Sequence, residues 1–205
     1  MKYQSIEKSN GYYHVRVCTV NSNRFFKTNN ERAFVGVQIQ QLLAARSVLE
    51  DPLYAKSLAH HIDLLAFSIS PSGIQLLAYC INITSLEHLV NIVLERLTQY
   101  RSEYQSYARQ PDVSVSIVKL AGEHEALSLS ADIHLLHEDW EYDRYSSIGF
   151  YLHDRRGDWM KLWRLTKLYN NNASTYREFI EHSLNTLRRR NFSNSNLDYE
   201  RVINA

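Results

Sequence analysis

The chain is poor in the residues that mark several protein classes. It holds only two cysteines in 205 residues, Cys18 and Cys80, each inside an apolar, strand-like run. Two separated thiols make no disulfide framework, and they are expected to be buried and reduced. Three prolines and six glycines, with 44% apolar residues, exclude a collagen-like or disordered chain and imply a packed core. No window approaches the roughly 18 uninterrupted apolar residues of a membrane span. The opening MKYQSIEKSNGYY also lacks the apolar stretch of an export signal. The expectation is a cytoplasmic protein without a membrane partner. Neither charge is in excess: 23 Lys and Arg face 22 Asp and Glu, for a net charge of +1. Any basic surface must therefore be local.

What is present is periodicity. YYHVRVCTV, Tyr12 to Val20, alternates with period two and predicts a strand. Asn29 and Asn30 offer N-caps to a helix running to Glu50, with Phe34, Val37, Gln41 and Val48 at helical spacing and Asp51-Pro52 as its stop. Ile62 to Ser70 and Ile74 to Ile83 are strand-length apolar runs joined by Pro71-Ser72-Gly73, a hairpin pattern. A second helix follows from Ser85, with Leu86, Leu89, Val93, Leu97, Tyr100, Tyr104 and Tyr107 on one face. Val113 to Leu120 alternates again.

The order strand, helix, strand, strand, helix, strand predicts an α+β, ferredoxin-like split βαβ fold: a four-stranded antiparallel sheet with two helices on one face. The rest reads as helical: about Glu123 to His137, Asp158 to Tyr169, and Thr175 to Arg190, where Thr175 and Glu178 form a capping box. This gives one domain over residues 10–190, with a core over 12–120, a helical part over 121–190 and a loosely held tail over 191–205.

Three motifs carry a resemblance. GYYHVRV followed by RFFKTNNERAFV resembles the opening of the REP-associated and insertion-sequence single-tyrosine (HUH) transposases. AFSISPSGIQLL resembles, over twelve residues without a gap, that family's AYCLMPNHVHLL. EDWEYDRYSSIGFYL, DWMKLWRL and STYREFIEHSL resemble its DPEDYRWSSYRAYL and closing AYREFVEEGL, so the likeness extends in order from Tyr12 to Leu184.

The resemblance implies a DNA-cleaving transposase fold. In that family two histidines at i and i+2 of a central strand share a divalent metal ion, which polarises the scissile phosphate of single-stranded DNA. A helical tyrosine attacks the phosphorus and is joined covalently to the DNA. Here the histidine positions are Gly73 and Gln75, and the tyrosine of the family's YIHLNP is matched by Asp132 in DIHL; an ungapped count lands on Ala126 instead. The expectation is a pseudoenzyme with no metal or other cofactor.

Candidate phosphate contacts are Arg16, Arg24, Lys27, Arg96, Arg101, Arg109 and Lys119, interleaved with Tyr12, Phe25, Phe26, Tyr100 and Tyr104, whose rings suit unpaired bases. Arg188-Arg189-Arg190 are weaker candidates, because cations suit a helix C-terminus without any ligand. Hairpin or single-stranded DNA is the expected partner, with a homodimer compatible. Two alternatives stand beside it. One is a protein-interaction module on the same fold. The other is a nicking transposase with ligands moved to Asp132, His134 and His137; HxxHE histidines on a charged surface are the plainer reading of those residues, as is a packed stripe for Tyr100, Tyr104 and Tyr107. His60-His61 with Asp63 cannot chelate together, since adjacent strand residues point oppositely.

Overall fold

The computed structural model describes residues 10–20, 24–44, 58–104, 112–153 and 155–186. Its strands are β1 (Gly11–Thr19), β2 (Ile62–Ser70), β3 (Gly73–Cys80) and β4 (Val113–Lys119). They form one antiparallel sheet in the order β2-β3-β1-β4. Helix α1 (Asn29–Leu43) follows β1 and α2 (Ile83–Tyr104) follows β3, so the element order is the ferredoxin-like one. After β4 come α3 (Glu123–His134), two short helices, α4 (Ile148–Leu152) and α5 (Trp163–Thr166), and α6 over 173–186. No helix of the described residues is long and apolar enough to cross a membrane.

Paired residues of antiparallel strands point to the same side. Tyr13, Val15 and Val17 of β1, with Ile74 and Leu76 of β3, pack against Val35, Ile39 and Leu42 of α1 and Leu86, Leu89, Val93 and Leu97 of α2. The four α2 residues are those of the expected face. The buried side of α1 is not the expected stripe: Val37 is 47% exposed and Gln41 is exposed, while Val35, Gln38 and Ile39 turn inward. On α2 the buried stripe runs from Leu97 to Arg101 instead of to Tyr104, because a salt bridge closes that end of the core.

The opposite face is covered as well. Leu65, Ala66 and Leu77 meet Ala126 and Ile133 of α3 and Leu165 of α5. A bulge between Leu64 and Ala66 lets β2 serve both cores. The outer edge of β2 is capped by the C-terminal segment: Ile69 N–H donates to Tyr145 O, Ser147 N–H to Phe67 O and Lys161 N–H to Leu64 O. A strand buried on both faces and covered at its edge needs no alternation, which explains the continuous apolar run.

That edge contact corrects one expected helix. Residues 158–169 hold only α5 and a 3-10 turn (Lys167–Tyr169), because Met160 forms a parallel bridge with Leu64 and keeps its surroundings extended. Two caps also shift. Thr28, not Asn29 or Asn30, caps α1 by accepting from Glu31 N–H at 3.2 Å. Asn172, not Thr175, stands before α6 and accepts from Ser174 N–H at 2.9 Å. The expected continuation of α1 to Glu50, Tyr107, Arg109, Arg188-Arg189-Arg190 and the tail all lie outside the described residues.

Candidate functional site

β1 and β3 are the two central strands, so their residues on the face away from α1 and α2 define the middle of the second face. His14, Arg16 and Cys18 of β1 pair with Leu77, Gln75 and Gly73 of β3, and Arg16 pairs with Ser116 of β4 on its other side. α3 covers the Leu77 end. The end toward the β2–β3 turn stays open as a cavity of about 280 Å³, lined by Arg16, Cys18, Ser70, Ser72, Gly73 and Gln75. Ser70 and Ser72 hydroxyls lie 2.7 Å apart at this turn. Cys18, expected in the core, is only half-buried and belongs to this wall. Cys80 is buried, and desolvation pushes its thiol up to about 12.

At the boundary between the covered and open ends, His14 Nε2 donates to Gln75 Oε1 at 3.0 Å. Burial lowers the proton affinity of His14; the Gln75 bond opposes this, Arg16 adds to it, and the charge of Asp132 opposes it again. The imidazole is thus held toward its neutral form. Asp132, exposed on α3, therefore sits in the electrostatic neighbourhood of His14 and Gln75. The resemblance set Gly73, Gln75 and Asp132 at three of its site positions; the fold puts Gly73 and Gln75 on the cavity wall and links Asp132 to them only through His14. Ala126, the other match to the tyrosine position, is buried in the core beneath the sheet.

The site does not fit the metal that the family likeness would imply. Gly73 has φ +157°, and a Cβ there would lie 2.0 Å from Val17 O, so no imidazole fits on this backbone. The amide oxygen of Gln75 is already bound by His14. Among the described residues no three His, Cys, Asp or Glu side chains converge as a ligand set.

The relocated set fares differently from its surface reading. His134 is 1% exposed, with Nδ1 2.9 Å from Tyr176 Oη and Nε2 2.7 Å from Ser147 Oγ. Burial pushes its pKa down to about 3, and both ring nitrogens serve internal packing. His137 instead faces Asp143 at 3.4 Å. The phenols of Tyr151 and Tyr176 are buried and held well above their usual range by desolvation, which suits hydrogen bonding and not attack.

The basic candidates divide. Arg16 is exposed beside the cavity. Arg24 and Lys27 are exposed on the segment whose Phe25 and Phe26 N–H groups donate to Pro71 O, at the same end of the sheet. Arg96 donates to Gln38 Oε1 at 2.7 Å, between the helices. Arg101 is corrected outright: it is 9% exposed and its guanidinium binds Glu31 at 2.9 Å and the Phe25 carbonyl, so it belongs to the core. Lys119 pairs with Tyr13, placing it on the α1–α2 side of the sheet, away from Arg16.

Of the aromatics, Phe25 and Phe26 are buried, Tyr12 packs edge-on to Tyr79, and Tyr100 stacks on Phe34 at 4.4 Å. Tyr104 is 71% exposed. A second groove, of about 600 Å³, lies between α1 and residues 144–150 and 155–159 and carries four arginines that were not among the candidate contacts. The signal for it was the adjacent pair Arg155-Arg156. No family model, curated protein or solved structure matches the chain.

Proposed function

We propose that this is a transposase-like DNA-binding protein of the cytoplasm, for a hairpin or single strand, that has lost the metal site and nucleophile of a nicking enzyme. The observation that carries the reading is that Gly73 and Gln75 share one sheet face beside the exposed Arg16, and that Gln75 binds His14, on which the charge of Asp132 acts. The two motifs of the likeness are linked there through His14. Arg24 and Lys27 extend the cationic edge from the same end. Three phosphate contacts give a log–log salt slope of about −2 for a single strand. Fluorescence anisotropy with labelled hairpin and single-stranded DNA tests this. Binding at low salt that weakens with that slope supports it, and no binding at low salt removes it. Incubation with magnesium or manganese yields no covalent protein–DNA adduct.

A protein-interaction module is the second reading. It is favoured by the near-neutral charge and by the inward use of Arg96 and Arg101. Homodimerisation belongs with either reading, and light scattering at assay concentration decides it.

A further inference from the structure

The groove of about 600 Å³ lies off the outer edge of the sheet, with α1 on one side and residues 144–150 and 155–159 on the other. Its lining includes Arg32, Arg144, Arg155 and Arg156 and, among the described residues, no acidic one. Arg32 is already fixed: its Nε donates to Ile69 O at 2.6 Å, it approaches Asp143 at 4.0 Å, and its guanidinium lies 3.8 Å over the Tyr145 ring. Arg32 therefore acts as a brace. Arg144 is held against Tyr145 by a 2.8 Å bond to its hydroxyl, and Arg155 lies over the Phe150 ring. Arg144, Arg155 and Arg156 are exposed, and none has an ion-pair partner among the described residues.

Three guanidiniums lining one groove, with no ion-pair partner among the described residues, suit the several oxygens of a phosphate better than the single charge of a carboxylate. The facing wall is apolar. Ala33 and Val37 of α1 are exposed, and Gly36 between them has no side chain, so the helix presents a flat shelf. Val37 breaks the expected burial pattern of α1 and is 47% exposed at this shelf. The amides of Asn29, Asn30 and Gln40 line the same groove and offer both donors and acceptors to the edge of a ring. An anionic head, a planar apolar body and a polar rim together describe a nucleoside phosphate, and the volume lies within the range of small-ligand sites.

We infer that this groove binds a nucleotide, with its phosphate on Arg144, Arg155 and Arg156 and its ring on the Ala33–Gly36–Val37 shelf. The nucleotide is either free or part of a single strand; the chemistry is shared. The inference goes beyond the DNA reading, which rests on the other side of the sheet, and does not require it.

Isothermal titration of the full chain with adenosine, ADP, pyrophosphate and a 5′-phosphorylated trinucleotide tests it. ADP or the trinucleotide is expected to bind, adenosine and pyrophosphate each at least tenfold more weakly, since each lacks one half of the ligand. Tighter trinucleotide binding assigns the site to a strand, and tighter or equal ADP binding to a free nucleotide. R155A/R156A is expected to weaken binding at least tenfold with an unchanged circular-dichroism spectrum, because both side chains are exposed. Val37→Glu, which sets a carboxylate on the shelf, does the same independently. Binding by neither ADP nor the trinucleotide, or binding indifferent to both variants, overturns the inference. Hairpin binding that survives these variants leaves the DNA reading intact, and ADP binding without hairpin binding leaves only the groove.

Discussion

Single residues decide what the central face can do. Gly73 is there because β1 passes too close for any side chain: the added Cβ would sit 2.0 Å from Val17 O. Gly73→Ala is expected to cost on the order of 3 kcal/mol or more through combined clash and backbone strain. Gly73→His is expected to unfold the hairpin end and not to create a metal site. Thermal denaturation of both variants, with and without manganese, measures this; a stable Gly73→His that gains stability from manganese contradicts it. Arg101 makes the opposite point, a cation that looks like a phosphate contact and is a core residue. Burial raises the Glu31 carboxyl, but hydrogen bonds from Arg101 and from the Lys27 and Thr28 region outweigh it, leaving it below its ordinary range. Arg101→Met strands that carboxylate and is expected to cost about 3–5 kcal/mol. Adding Glu31→Gln is expected to recover much of the loss in a denaturant titration. DNA affinity of the folded fraction should stay unchanged.

At the scale of elements, the strands, α3 and α6 were legible and the segment 158–169 was not. β1, β2 and β4 follow period two or a bounded apolar run, and local pattern suffices to find them. Residues 158–169 carry helix-compatible residues, yet Met160 and Lys161 close the edge of β2, a tertiary demand with no local sign. The buried face of α1 was misread for a related reason: Phe34, Val35, Val37, Ile39, Leu42 and Leu43 spread around the helix, and packing alone selects among them. His134 was legible as part of an HxxHE pattern but not as the hub joining α3, α6 and the 146–148 turn. That hub sets an acid sensitivity. Burial holds the imidazole down at about 3 against its ordinary 6.5, so the unfolded chain takes up a proton that the native state refuses. Stability is then full above pH 6.5 and falls as pH drops toward 3, with roughly 3 kcal/mol lost by pH 4 from this group. His134→Gln is expected to start less stable at pH 7 and to lose less between pH 6.5 and 4. Equal slopes in thermal melts across that window would contradict the assignment.

The whole molecule is a ferredoxin-like sheet with both faces packed, one by α1 and α2 and part of the other by α3 and α5. The element order made the first layer readable in the sequence. The second layer was not, because it depends on where the chain after β4 returns, and antiparallel sheets commonly leave one face to solvent. The uncovered remainder of that face is where Arg16, Gln75 and Gly73 meet, and the charge of Asp132 on α3 reaches His14 at its boundary. The resemblance had linked these positions; the link between Asp132 and Gln75 through His14 is visible only in the fold. The basic residues were the least legible, because side-chain charge says nothing of direction: Arg101 points inward and Lys119 lies on the other side of the sheet.

The proposed binding of DNA without cleavage at this face is decided by anisotropy titration of wild type and Arg16→Ala with one labelled hairpin carrying a single-stranded flank, at several salt concentrations, followed by a denaturing gel in manganese. Wild type is expected to bind, Arg16→Ala to lose about 1 kcal/mol with a salt slope shallower by roughly one phosphate, and the gel to show no shifted covalent band. Absence of binding at the lowest salt, or a covalent band in manganese, would contradict it.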